Sequence, residues 1–284
     1  MAVGSNIGAD IASYVKQIEQ QADVVARDNT IMAALVRGFS DQSGTAIRAR
    51  SEYGTATITQ IADTDDLSSQ TFVPSVANQL TPYEFGGQFF ITDTRLRNDP
   101  FNYAVEAANE LGMAMAQKVE KDLLALFASL TGGTINMGAG NMTWGALLAA
   151  QSILRTQNPG GQFAAVLHPY QFHSLGTAVT PAAQISQANA PDLQNALLQN
   201  FWMGRAYGID IYTTSNLTSG TAVRGGLFVR EALALDVRVA PSIEPERDSS
   251  RRGYELNLTS TYAAGAWRPA FGVQIISQGT APTA

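Results

Sequence analysis

The stretch from Asp99 to Leu130 constrains this chain more than any other. It reads DPFNYAVEAANELGMAMAQKVEKDLLALFASL and stops at Thr131-Gly132-Gly133. Asp99 is a good N-cap, and Pro100 sits where a missing N–H costs nothing. Apolar or small residues recur at Phe101, Val105, Ala108, Leu111, Met115, Val119, Leu123, Leu126 and Leu130. Those steps of three and four draw one stripe down a helix. Glu106, Glu110, Lys118, Glu120 and Lys121 fall mostly off it. At 1.5 Å per residue the predicted helix runs roughly 45 Å, longer than most helices of globular domains. With no internal proline it reads as a beam across a whole domain, and the other elements have to be placed against it.

The 284 residues suffice for one large domain or two medium ones. Hydrophobic residues make up 45% and charged residues 15%, so a sizeable core is available and much of the surface is expected to be covered by something other than water. The absence of cysteine excludes disulfides and thiolate chemistry. No run of eighteen apolar residues exists to span a membrane. The start, MAVGSNIGADIASYVKQ, has neither a basic region nor an apolar core, so no secretory signal is expected. A formal net charge of −6 argues against a general nucleic-acid binder. Of the 18 basic residues only Lys16, Lys118 and Lys121 are lysine. Arginine is favoured where a cation must pair across an interface.

Residues 6–37 read as helical, with one stripe at Ile7, Ile11, Val15 and Ile18 and a second piece from Thr30 to Arg37. Gly38 and the run Ser40-Asp41-Gln42-Ser43-Gly44 end it. This segment precedes any obvious core and looks like an arm that docks on its own chain or on a neighbour. Residues 53–93 change character. Thr55, Thr57 and Thr59 alternate in a β-branched run, an acidic stretch follows at residues 63–69, Thr71 to Val76 is extended around Pro74, and Glu84 to Thr92 reads as the return strand. A connection of this length is usually functional or disordered. A two-stranded ribbon is marginal alone, so it is expected to lie on another subunit.

After the long helix comes a Gly-rich stretch, then a helix introduced by Asn141-Met142-Thr143. Phe163 to Leu167 reads as a short buried strand ending at His168-Pro169, followed by a helix at Tyr170–Leu175. Residues 178–191 read as a loop and Asp192 to Trp202 as a helix. A turn and a strand are expected over 205–214 and strands at 225–235, at 254–259 and at 272–276, which makes a compact α+β domain around a small central sheet.

Catalytic signatures are missing. His168 and His173 are five apart, not in H-E-x-x-H order. With no cysteine and no third histidine a zinc site is not expected, and no phosphate-binding or nucleophile-elbow glycine motif occurs. Asp63, Asp65 and Asp66 resemble half a calcium loop, but its other ligands are missing. No catalytic residue, metal or cofactor is therefore expected. What remains is charge in clusters. Arg48, Arg50, Arg95 and Arg97 lie at the base of the expected hairpin, Asp63, Asp65 and Asp66 at its tip. Glu244, Glu246, Arg247, Asp248, Arg251 and Arg252 stand in one turn. These arginines are expected to pair with these carboxylates, in part across subunits.

The order of these pieces resembles the major capsid proteins of tailed bacteriophages, whose shared fold is the Hong Kong 97 type. Ile91-Thr92-Asp93 followed by Asp99-Pro100-Phe101 is similar to the junction of extended loop and spine helix. Ala165-Val166-Leu167-His168-Pro169, the run from Gly208 to Leu217, and Gly265-Ala266-Trp267-Arg268-Pro269 through Val273 resemble elements of the axial domain and its closing strand. The resemblance covers roughly residues 50–277. It implies an α+β fold with an N-terminal arm at 1–52, an extended β-hairpin loop at 53–95, a spine helix and peripheral domain at 96–140 completed by 239–265, and an axial domain at 141–238 completed by 266–284. It implies a structural protein that self-assembles as hexamers and pentamers of an icosahedral virion shell around packaged double-stranded DNA. That DNA would be bound without sequence specificity and no membrane would be involved. It further implies assembly in the host cytoplasm with a portal. Some members cross-link through a lysine of the extended loop, but no lysine lies between residues 17 and 117 here. About fifty residues precede the hairpin, too few for a scaffolding segment plus an arm, so a separate scaffolding protein is expected. An encapsulin-like nanocompartment shell is the alternative within the fold. A hydrolase around His168 and His173 is the alternative outside it.

Overall fold

The computed structural model describes residues 31–41, 43–53, 58, 60, 74–97, 103–177 and 205–282. Two sheets carry the architecture. The first has four strands in the order β1 (Arg37–Phe39), β10 (Leu233–Asp248), β11 (Gly253–Ala266) and β4 (Tyr83–Thr92). β10 and β11 form one long antiparallel hairpin, β4 adds antiparallel to β11, and β1 adds parallel to β10. Leu256, Leu258, Ser260 and Tyr262 alternate to the buried face of β11, the period of two that a half-covered strand requires.

What covers that face is helix α3 (Tyr103–Ala125), with α2 (Asp93–Arg97) leading into it. Ala108, Leu111, Met115, Leu123 and Leu124 are buried in one cluster with Ile243, Leu256, Leu258 and Tyr262. The stripe read from the sequence is therefore the packing face. The helix ends sooner than expected; its described part has 23 residues or about 35 Å. Leu126–Ser129 tightens into a 3₁₀ turn and Leu130 is already extended. The chain must leave the helix there, because Thr131 N–H donates to Pro269 O and Gly132 N–H to Gly272 O. A Cβ at Gly132 would collide with the Ala270 and Gly272 carbonyls. Glu120 also departs from expectation: it is buried, 1% exposed. Asp99, Pro100 and Phe101 lie outside the described residues.

The second sheet has six strands in the order β5 (Gly133–Asn136), β12 (Gly272–Gly279), β9 (Gly220–Val229), β6 (Phe163–Leu167), β8 (Ile209–Thr213) and β7 (Arg205–Ala206). Helix α4 (Trp144–Thr156) lays Ala146, Leu147, Ala150 and Leu154 into a core with Leu167, Leu227, Val273 and Ile275. Its first turn is capped by the Thr143 side chain, which accepts from Ala146 N–H. Helix α5 (Pro169–Thr177) follows β6. The buried strand before His168 and the helices on either side of it lie where the sequence places them. Residues 178–204, with the loop and helix expected there, lie outside the described residues.

Three expectations are corrected. The segment 225–235 is not one strand. β9 ends at Val229, Arg230–Ala232 makes a 3₁₀ turn, and β10 begins in the other sheet. The helical piece at 30–37 is only α1 (Met32–Leu35), after which the chain turns into β1. The hairpin is also framed differently. Its two strands are β2 (Arg48–Tyr53) and β3 (Pro74–Leu80), paired antiparallel. Glu84 to Thr92 belongs to β4 of the first sheet, not to the ribbon. The alternating run at 55–60 and the acidic stretch at 63–69 fall almost wholly outside the described residues.

The chain passes between the sheets three times: from α3 to β5, from β9 to β10, and from β11 to β12. The crossings are tied together. Ala232 O accepts from both Trp267 N–H and Arg268 N–H, and the first crossing bonds to Pro269 and Gly272 as above. Phe127 and Phe228 pack against each other at the same junction, ring centroids 5.6 Å apart.

Candidate functional site

The base of the ribbon is held to the first sheet by charge. Strand β10 begins Leu-Ala-Leu-Asp-Val-Arg-Val, and the i, i+2 spacing puts Asp236 and Arg238 on one face of it. Both side chains are fully buried. Asp236 Oδ2 accepts from Arg238 Nη2 at 2.8 Å and from Arg48 Nε at 2.9 Å. Arg238 Nη2 also donates to Ala46 O, and Arg48 Nη2 donates to Asp41 at 2.5 Å. Burial works against the Arg48 cation, yet its bonds to Asp236 and Asp41 leave its pKa raised. The Arg48 bond holds the Asp41 carboxyl below its usual range. The Arg48 guanidinium lies 4.3 Å over the Phe39 ring, which meets Trp267 edge-on at 5.1 Å.

Two further contacts finish the anchorage. Trp267 O accepts from Arg50 Nη1 at 2.8 Å and from Asn78 Nδ2 at 3.0 Å, one donor from each strand of the ribbon. Leu80 is buried against the backbone at Gly265, where a Cβ would strike its methyl group. Arg50 also pairs with Glu52.

A second cluster lies at the far end of the β10–β11 hairpin. Arg247 grips Asp93 with both nitrogens, at 2.7 and 2.9 Å, and lies 4.7 Å over Tyr254. These bonds lower the Asp93 pKa and raise that of Arg247. Arg251 pairs with Glu255 at 2.8 Å and covers the Phe90 ring at 4.1 Å. Asp248 Oδ1 closes the turn by accepting from Ser250 Oγ, Ser250 N–H and Arg251 N–H, and these bonds lower its pKa. Arg252 takes a positive φ of 51° in that turn, and its carbonyl accepts from Asp93 N–H.

The expected site residues thus fall into two groups. Arg48 and Arg50 stand at the ribbon base. Arg247, Asp248, Arg251 and Arg252 stand at the far hairpin end, tied to the start of the helix that carries Arg95 and Arg97. Asp63, Asp65 and Asp66 lie outside the described residues. Arg95, Arg97, Arg252, Glu244 and Glu246 form no ion pair among the described residues. The partners found within the chain are Asp41, Asp236, Glu52, Asp93 and Glu255, none of them foreseen. Asp236 and Arg238 had a readable signal: two opposite charges two apart inside an apolar strand are buried together or not at all.

The histidines do not form a site. His168 is buried, its Nδ1 accepts from Tyr170 N–H, and burial pushes its pKa down, whereas His173 is exposed. The described residues hold no cluster of metal-ligating side chains. An open cleft of about 410 Å³ lies between β4 and α3; among the described residues Arg95, Glu106 and Glu110 are its only charged lining and no nucleophile joins them. Among the described residues no helix is long and apolar enough to cross a membrane.

Residues 77–275 match a family model described as phage capsid protein. No curated protein matches in sequence. Among solved structures the chain is similar to one described as Mycobacterium phage Che8, at 17% identity and a TM-score of 0.68, covering 87% of this chain and 90% of that one. It is similar to the capsid of the cyanophage P-SCSP1u at 14% identity and a TM-score of 0.67, covering 88% and 89%. It is similar to a virus-like particle from Pyrococcus furiosus at 11% identity and a TM-score of 0.61, covering 92% and 99%.

Proposed function

Because the chain belongs to the phage capsid protein family and has the Hong Kong 97-type α+β fold, a structural shell component of the virion and not an enzyme, we propose that it forms the hexamers and pentamers of an icosahedral shell around a packaged genome. The observation that carries this reading is the ribbon: a separate two-stranded sheet, paired with neither large sheet and rooted on the body by Arg48, Arg50, Asn78 and Leu80. In this reading the arm is the chain ahead of Arg48 and the extended loop is the ribbon from Arg48 to Leu80, narrower than the 53–95 expected. The first sheet with α3 is the peripheral domain and the six-stranded sheet the axial domain. The peripheral part then starts at Leu233, ahead of residue 239.

The acidic tip of one subunit, Asp63, Asp65 and Asp66, meets the arginine-rich hairpin end of the next, where Arg95, Arg97 and Arg252 hold no ion pair among the described residues. A separate scaffolding protein and a portal take part in assembly in the host cytoplasm. Double-stranded DNA lies against the inner face without sequence-specific contact. A second reading, an encapsulin-like nanocompartment, draws on the similarity to the Pyrococcus furiosus virus-like particle.

The test is a deletion of residues 62–70. Circular dichroism is expected to show a folded subunit, while sedimentation and electron microscopy show lost or misdirected shells. Normal shells from the deletion variant would overturn the role of the tip. Wild-type particles that enclose a protein cargo in place of nucleic acid would favour the nanocompartment.

A further inference from the structure

We propose that Glu120 is a proton-operated latch that holds the strap of residues 31–39 against the long helix. The strap comprises α1 and β1. It buries Met32 and Val36 completely and ends as the edge strand beside β10. Its first turn has no side-chain cap of its own, so its leading amides need an acceptor from elsewhere. Glu120 reaches across from α3 and supplies it: Oε2 accepts from Met32 N–H at 3.0 Å, beside the Ile31 amide. Oε1 is buried and has no partner among the described residues. A proton on Oε1 leaves Oε2 free to go on accepting, so protonation discharges the buried group without breaking the contact.

Among the described residues no cation pairs with it. On the strap Arg37 is bound to Glu231, and Arg230 donates to Val36 O. On α3 Lys118 is bound to Asp122, whose second oxygen takes the Tyr262 hydroxyl, and Lys121 is exposed. Burial pushes the Glu120 carboxyl up from its ordinary value of 4.5, and the Met32 and Ile31 amides pull it back only in part. The sign follows from linkage. The docked strap binds a proton that a released, hydrated Glu120 gives up, so docking is fully supported below the ordinary carboxylate range. The support is lost as pH rises through the raised value.

The test is hydrogen exchange of the full-length protein across a pH series, read on peptides covering residues 32–39 and corrected for intrinsic rates. In the wild type, protection of the strap is expected to fall as pH rises above the ordinary carboxylate range, relative to peptides from β6. In Glu120→Gln, which keeps the acceptor and cannot ionise, protection is expected to stay flat and at least equal to the wild-type maximum. The same slope in both proteins, or a flat wild type, overturns the latch. Should the variant not fold, a ¹³C titration of the Glu120 carboxyl in the wild type decides. A midpoint above that of exposed glutamates supports the latch, and one at or below it overturns the latch.

Discussion

Asp236 shows how much a single side chain decides here. One carboxylate oxygen serves two guanidiniums, both largely withdrawn from water. A buried pair adds little over an apolar substitute, but removing one partner strands the other charge. Asp236→Asn is therefore expected to cost about 3–5 kcal/mol, seen as a lower denaturation midpoint with an unchanged slope. Asp41→Asn, on the exposed side of Arg48, is expected to cost far less in the same measurement. At the far hairpin end Asp93 has its pKa lowered by Arg247. Its contribution is present above the ordinary carboxylate range and is lost as pH falls through the lowered value. An acid titration that follows the packing of Tyr254 is expected to show loosening below about pH 4 in the wild type and no such step in Arg247→Gln. Residue by residue, the sequence shows where arginines concentrate but not which carboxylates they meet. Pairing is a matter of which strands become neighbours, and Asp93 and Arg247 are brought together by the β4–β11 and β10–β11 pairings.

Among the elements the long helix was the most legible, because its stripe of apolar positions is local information. Its end was not: the 3₁₀ turn at Leu126–Ser129 is imposed by the closing strand around Gly132, more than a hundred residues away in sequence. The same limit explains the ribbon. Both β3 and β4 read as extended chain, and nothing in the alternation says which of them pairs with β2 and which with β11. Leu111→Asp tests the helix. Leu111 is 5% exposed in the core of the first sheet, an unpaired buried charge costs several kcal/mol, roughly 3–5 by comparison with broken buried pairs, and the variant is expected to be insoluble on expression. Replacing Arg50 and Asn78 by alanine together removes both donors to Trp267 O. The expected result is faster hydrogen exchange in β2 and β3 with little change in β6.

For the whole molecule, the chain's low charge and its concentration of arginine at two ends fit a protein that is finished only by its neighbours. Exposed ion pairs are each worth at most about 1 kcal/mol, and about 1 M salt shortens the screening length to near 3 Å. If copies join through the tip and the hairpin end, raising salt to that level is expected to slow or prevent assembly. Light scattering would read the effect, and circular dichroism would show the subunit still folded. Scattering that does not change with salt would count against charge as the adhesive.

The three crossings between the sheets set the mechanics of such a subunit. A hinge needs a place where one strand of chain bends while little else resists. Here the segments leaving α3, β9 and β11 are laced to one another through Pro269, Gly272 and the doubly used carbonyl of Ala232, so a bending load on one is shared by all. The two sheets are built to turn as one rigid lever. A change of shape, where the subunit has to fit curvature that differs from place to place, is then carried by the parts fastened at a few points: the ribbon on its arginines and the strap on Glu120.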